Sequence, residues 1–298
     1  MVFIFYVLLP LVYPPISINT INVDYVTISL IIMSGRSKII IGNWKMHFSL
    51  KQATLYASKL ADKTIQSGVE VGVAPHTLAL SSVAEALKDS PIKVAAQNAF
   101  FRDEGGFTGE ISMPMLRGIA NYVLVGHSER RHILHESNDF VREKNAAAFR
   151  SGITPVFCVG ETLVERQHYH TNQVLHDQLS LGLSDLTAEE VAKIIIAYEP
   201  VWAIGTGEYA DPEDVERAVT KIRAEVTSLY GAVTGASVSV LYGGSVTKEN
   251  ANAYLRIQGV DGLLVGGASL SLATFWPIVE CAAKLVEKKI AITKRGDK

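Results

Sequence analysis

From Lys38 onward two hydrophobic patterns alternate along the chain. Short continuous apolar runs, rich in Val and Ile and ending in Gly, Pro or polar residues, are followed by longer stretches with apolar positions at helical spacing. Eight such runs predict strands at 38–42, 69–74, 92–97, 122–126, 154–159, 193–198, 238–242 and 262–265. Continuous rather than alternating runs indicate parallel strands covered on both faces. Helices are predicted at 49–66, 138–151 and 212–230. The last opens with Asp211-Pro212-Glu213-Asp214, a polar cap, a first-turn proline and early acids. Eight strand–helix units in roughly 250 residues predict an α/β fold, a closed (β/α)8 barrel. An open doubly wound sheet is the alternative. It usually carries Gly-x-Gly-x-x-Gly after its first strand, whereas this chain continues into Asn43-Trp44-Lys45.

No Pro- or Ser-rich linker divides the series, so residues 35–298 are expected to form a single domain. Before Arg36 the sole charged side chain is Asp24, and residues 1–13 are nearly all apolar. A basic n-region and an Ala-x-Ala-like exit, the marks of a signal peptide, are both missing. Pro10, Pro14 and Pro15 interrupt the run short of the ~20 residues that span a bilayer. Met33-Ser34-Gly35-Arg36 reads as a natural start, and residues 1–34 are expected to form an extension outside the fold; export, membrane attachment or an ordered extension are the alternatives. A net charge of −2 gives no reason to expect nucleic acid or an anionic membrane as partner. Cys158 and Cys281 form neither a disulfide framework nor a metal spacing and are expected to be buried thiols in a reducing, cytoplasmic setting.

In a parallel barrel all strand C-termini open on one face, and that face carries the site. Polar residues cluster at nearly every predicted strand end: Asn43 and Lys45, Gln97 and Asn98, the run Gly126-His127-Ser128-Glu129-Arg130-Arg131, Gly160-Glu161, and Glu199. The last two strands end in Tyr242-Gly243-Gly244-Ser245 and Gly266-Gly267-Ala268-Ser269. Glu199 closes a buried strand and is followed by Pro200 and a short apolar segment ending in Gly205-Thr206-Gly207. That places a carboxylate on a rigid element beside a segment able to move.

The motifs Asn-x-Lys, Gly-His-Ser-Glu-Arg-Arg, Tyr-Glu-Pro-Val-Trp-Ala-Ile-Gly-Thr-Gly, Tyr-Gly-Gly-Ser and Gly-Gly-Ala-Ser-Leu, in this order and spacing across residues 38–290, resemble the triosephosphate isomerases. The resemblance implies interconversion of dihydroxyacetone phosphate and glyceraldehyde 3-phosphate through an enediolate, a step of glycolysis and gluconeogenesis. Such a reaction needs a base, a group that polarises the carbonyl, a phosphate grip and a lid that excludes water. Glu199 is the candidate base, stripped of water under an apolar loop. His127, where a strand gives way to a helix start, is the candidate electrophile, with helix N–H groups favouring a neutral ring. Lys45 supplies positive charge for the enediolate oxygen and the phosphate, and Asn43 adds a neutral donor. Ser128 and Glu129 support the site, Glu129 by pairing with a nearby cation. Gly205, Ser245, Gly266 and Gly267 would present backbone N–H groups to the phosphate.

The lid is residues 200–207, and closure would protect the enediolate from losing phosphate. The resemblance implies that Tyr242 and Ser245 latch it near Ala210 and Gly207. It also implies a homodimer in which the glycine-rich loop 105–110, with Phe107 and Thr108, enters the partner near its His127 and Lys45. One departure falls there: His47 stands where the family usually has Asn, so dimer strength and its pH dependence are open. The chemistry needs no cofactor and no metal, and His132, His135, His168, His170 and His176 are expected at the solvated surface. Two alternatives stay in view. A Schiff-base aldolase would need a nucleophilic lysine at a strand end. A non-catalytic binding barrel would have no use for the Glu199, His127 and Lys45 set.

Overall fold

The computed structural model describes residues 36–204 and 209–296. Eight parallel strands close into one barrel in sequence order: β1 (Lys38–Asn43), β2 (Val69–Ala74), β3 (Lys93–Ala96), β4 (Tyr122–Val125), β5 (Thr154–Val159), β6 (Ile195–Tyr198), β7 (Ser239–Tyr242) and β8 (Gly262–Val265). β8 returns to β1 with Ile39 opposite Gly262 and Gly42 opposite Val265. Closure leaves no unpaired sheet edge among these strands. Residues 1–34, expected to lie outside the barrel, fall outside the described residues.

The continuous apolar runs follow from what covers each face. Ile39, Ile41, Ala95, Leu124, Val156, Ile195, Ala197, Leu241 and Leu264 pack together inside the barrel. The alternate residues Ile40, Val71, Val73, Val123, Phe157, Ile196 and Val240 pack outward against the helices. Both faces are dry, so neither set can be polar. Truncating one such residue, as in Ile40→Ala, would cost about 2–5 kcal/mol.

The predicted boundaries shift where a turn claims backbone groups. The 193–198 run begins as a strand at Ile195, because Lys193 and Ile194 donate to Glu190 and complete the turn after the helix Ala188–Val191. Val238 likewise donates to Thr234, and β7 starts one residue later. The helix predicted at 49–66 spans Leu50–Ala61, with Ser49 and Gln52 forming a reciprocal capping box before it. The helix predicted at 138–151 is Asn138–Arg150, capped by Ser137. Pro212–Tyr230 matches, but the expected polar cap does not form: Asp211 holds the cap position in extended conformation without a side-chain hydrogen bond. Pro212 and the early acids Glu213 and Asp214 are left to define that start.

Candidate active site

Glu199 follows β6 directly and is 3% exposed. Its N–H donates to the Val159 carbonyl at 2.7 Å, which ties it to the end of β5. Gly160 beside it has no room for a side chain, since a Cβ there would lie 1.9 Å from the Glu199 carbonyl oxygen. The Ser128 N–H donates to Glu199 Oε2 at 2.9 Å, and His127 Nε2 lies 3.1 Å from Oε1. His127 caps the short helix Ser128–His132, its Nδ1 accepting the Glu129 N–H at 3.2 Å. A ring nitrogen that accepts a backbone N–H carries no proton of its own. Placing the hydrogen on Nε2 therefore follows from the bonding, and Nε2–H is the group aimed at the carboxylate.

Lys45 turns inward from the end of β1 on a left-handed backbone, with φ of 51°. Two contacts hold that turn: the Asn43 side chain accepts the Lys45 N–H at 3.0 Å, and Gln97 Nε2 donates to the Lys45 carbonyl at 2.8 Å. A conformation this unfavourable for a residue with a Cβ needs such support. The ammonium reaches Glu129 Oε1 at 2.7 Å. Burial tends to raise the Glu129 carboxyl, but the hydrogen bond and charge of Lys45 outweigh it and hold the group below its ordinary value. Lys45 and Glu129 thus come from the first and fourth strands and meet over the barrel mouth.

A cavity of about 480 Å³ lies over these groups, lined by Asn43, Lys45, His127 and Glu199 together with Gly243, Gly244, Ser245, Gly266 and Gly267. Cationic and neutral donors and two glycine pairs therefore share one small space. Tyr209, Lys248, Glu249 and Thr274 also line it and were not singled out from the sequence. Their signal was weak, since each lies beyond a strand-end motif.

At the root of the expected lid, Val201–Ala203 forms a single 3-10 turn. Trp202 Nε1 donates to Glu161 Oε1 at 3.0 Å, and the Tyr198 hydroxyl lies 3.1 Å from both Glu161 oxygens. The Arg166 guanidinium stacks over the Trp202 ring at 4.3 Å. Burial pushes the Glu161 carboxyl above its ordinary value despite these donors. Gly205 and Gly207, expected in the phosphate grip and the latch, lie outside the described residues. Ser245 Oγ donates to the Ala203 carbonyl at 2.5 Å. The Ala210 carbonyl accepts from Tyr254 at 2.9 Å, while the buried Tyr242 hydroxyl has no hydrogen-bond partner among the described residues.

Phe107 and Thr108 lie far from this cluster on an exposed loop, and the Phe107 ring packs on Phe100 with centroids 4.6 Å apart. Among the histidines, His176 pairs with Glu225 at 3.0 Å and His168 contacts the Val164 carbonyl at 2.8 Å, so these two are surface groups with partners. Cys158 is buried as expected; Cys281 is half-buried, on the face of a helix that closes over β1 and β2. Among the described residues, no group of three or more His, Cys, Asp or Glu side chains is arranged to hold a metal. No described helix is long and apolar enough to cross a membrane.

Sequence reasoning passed over one buried cluster. Lys144 occupies the inner face of Asn138–Arg150 at 1% exposure, 2.8 Å from Asn98 Oδ1 and 2.5 Å from Glu136, which also binds Arg130 at 2.6 Å. A lysine in phase with Val141, Asn145 and Ala148 was the available sign.

Comparison with known proteins agrees with this geometry. Residues 38–282 match the triosephosphate isomerase family. A triosephosphate isomerase of Chlamydia felis is 45% identical over 249 residues, covering 82% of this chain and 97% of that protein. Those of Clostridium acetobutylicum and Chlamydia trachomatis are each 44% identical, covering 82% of this chain and 99% and 89% of their own lengths. With a family match over residues 38–282 and identity of this extent, the chain belongs to the triosephosphate isomerase family.

Proposed function

We propose that the chain interconverts dihydroxyacetone phosphate and D-glyceraldehyde 3-phosphate by moving a proton between neighbouring carbons, a reaction of glycolysis and gluconeogenesis in the cytoplasm. One observation carries the assignment of roles. A carboxylate and a neutral imidazole N–H stand 3.1 Å apart in a cavity that also contains a lysine and ends in two glycine pairs.

Glu199 removes the proton from the carbon beside the carbonyl, and general base action of this kind supplies about 10²–10⁴ in rate. In the ligand-free protein its carboxylate is occupied by Ser128 N–H and His127 Nε2–H. Substrate must therefore enter between Glu199 and His127, turning Nε2–H from the carboxylate toward the substrate oxygen. Lys45 and Asn43 place positive charge and a neutral donor at the same oxygen as it gains charge. Ser245, Gly266 and Gly267 hold the phosphate, with Gly205 from the lid, and Tyr242 serves the closed lid. Ser128 and Glu129 set the directions of Glu199 and Lys45. No cofactor takes part.

The working form is a homodimer. Exposed Met46, Phe107, Met115, Ile133 and Leu134 support this reading, with Phe107 and Thr108 entering the second copy. A coupled assay of triose phosphate interconversion on purified protein, run beside Glu199→Asp, tests the whole. Withdrawing the carboxylate by about one bond should lower turnover at least ~10²-fold. Equal turnover in the two proteins would remove Glu199 as the base. Sedimentation at micromolar concentration tests the dimer, and a monomer mass would refute it.

A further inference from the structure

Arg131 belongs to a motif whose other members have roles above, yet its side chain faces away from the cavity. Its guanidinium makes three hydrogen bonds. Nε donates to the Gly126 carbonyl at 2.7 Å, an Nη to the Asn138 side chain at 2.6 Å, and the other Nη to the Cys158 carbonyl at 3.2 Å. No carboxylate lies within salt-bridge distance of it among the described residues, although the charges of Glu199 and Glu136 reach it. The charged fork spends its donors on two backbone carbonyls and one amide, which belong to three separate segments of the chain. What it fixes is geometry.

His127 and Glu199 come from β4 and β6, which do not touch; β5 lies between them. At about 4.8 Å per strand, their supporting backbones start about 10 Å apart. Backbone hydrogen bonding spans only half of that gap at the strand ends: Glu199 N–H to Val159 O joins β6 to β5. Past the last β4–β5 partners the chain turns away through Gly126, at φ of 69°, into His127. Arg131 closes the remaining half by joining the Gly126 carbonyl, one residue before His127, to the Cys158 carbonyl, one residue before Val159. The fit is tight, since a Cβ on Gly126 would lie 2.7 Å from an Arg131 Nη. Behind the carboxylate, Gly126, Ser128, Arg131, Cys158, Gly160 and Glu199 line a gap too small for water, so the guanidinium packs directly on these elements; the Ser128 N–H to Glu199 bond is the other direct tie from this turn.

We propose that Arg131 is a positioning residue for the proton transfer, its guanidinium setting the His127–Glu199 separation by clamping the Gly126 turn to the end of β5. The inference rests on the roles proposed for those two residues. Its test uses the full chain with Arg131→Met and Arg131→Lys. Since ~1 Å of misplacement can cost ~10²-fold, kcat of Arg131→Met should fall about 10–100-fold with KM within about threefold. Arg131→Lys, which keeps the charge and can reach one carbonyl, should recover part of the loss. Binding of 2-phosphoglycolate, which needs both ends of the cavity, should weaken about tenfold, while binding of inorganic phosphate stays within about twofold.

The ligand-free protein gives a readout independent of turnover. In ¹⁵N-histidine spectra the His127 Nε2–H signal should shift or broaden in Arg131→Met. Unchanged kcat and an unchanged His127 signal in folded variants would overturn the proposal, as would equal weakening of both ligands. If Arg131→Met does not fold, the same comparisons on Arg131→Lys decide. A parent protein without isomerase activity whose His127 signal still responds to Arg131 would refute the functional reading and leave the clamp standing.

Discussion

Gly243→Ala tests how closely the barrel mouth is fitted to Glu199. Gly243 follows β7, is buried, and donates its N–H to the Tyr198 carbonyl at 2.8 Å. A methyl group there would sit 3.0 Å from Glu199 Cγ, 3.4 Å from the Tyr198 oxygen and 3.6 Å from Glu199 Oε1. Carbon atoms prefer about 3.5–4.0 Å, so Cγ must give way by about 0.5–1 Å. The backbone on both sides is held by strand pairing, which leaves the carboxylate as the part that moves. Taking ~10²-fold per Å of misplacement, kcat should fall about 10–100-fold. That corresponds to about 1.4–2.8 kcal/mol of lost transition-state stabilisation. The three atoms nearest the added methyl belong to Glu199 and Tyr198 and not to Ser245, Gly266 or Gly267, so KM should stay within about threefold. Overpacking of this kind costs about 1–3 kcal/mol of stability, which thermal unfolding would register separately. The assay is steady-state kinetics in both directions on protein shown to be folded. A kcat within about twofold of the parent would refute the reasoning, and so would a KM that rises in step with the loss.

Other perturbations follow from the charges. Glu161 has its carboxyl raised by burial, so its ionisation disfavours the fold above that raised value and costs nothing below the ordinary value of 4.5. Glu161→Gln keeps one acceptor oxygen, at the Oε1 position that both Trp202 and Tyr198 reach, and should therefore raise Tm at pH 7, with the gain shrinking toward pH 4; no gain at pH 7 would reject that sign. Glu136 behaves oppositely: burial raises its carboxyl, but Arg130 and Lys144 outweigh burial and hold it low. Its contribution is therefore present above pH 4.5 and lost as pH falls through the depressed value. Glu136→Gln should lose about 3–5 kcal/mol at pH 7 by stranding buried Lys144, and urea titrations should show the gap to the parent closing at acid pH. Lys45→Met removes the ammonium proposed to face the developing oxyanion and should lower kcat/KM at least ~10²-fold, leaving Tm nearly unchanged because Glu129 is half-exposed. Activity near the parent level would exclude Lys45 from the reaction.

The barrel was legible because its strands are buried on both faces, and a run such as 154–159 has no other low-energy home. The polar strand ends were legible because no barrel core tolerates them elsewhere. What escaped depended on which partner each group finds, which residue type alone does not specify. Lys193 and Ile194 looked like strand and became turn, since which carbonyl claims their N–H groups is settled by the short helix before them. Asp211 has the side chain of a cap and makes no cap bond, a matter of rotamer and not of residue type. Lys144 reads as a surface lysine until Glu136, eight residues before it, and Asn98, 46 residues before it, are seen to surround it. The direction of the His127 ring, fixed by a single backbone N–H, has no pattern in sequence.

Two buried carboxylates at neighbouring strand ends show how environment divides labour. Glu161, after β5, has its oxygens filled by Trp202 and Tyr198, side chains of the lid root and β6. These partners are buried or half-buried aromatic side chains, and Glu161 does not line the cavity, so its contacts tie the Val201–Ala203 turn and β6 to the end of β5. Glu199, after β6, is held by one backbone N–H and one imidazole N–H, and the imidazole is itself able to serve a different oxygen. Substrate can take over that donor at little net loss of hydrogen bonding, because the N–H passes from a carboxylate to a carbonyl that is about to acquire charge. On the proposed roles, the difference between the two acids lies in whether the partner can be shared with the substrate.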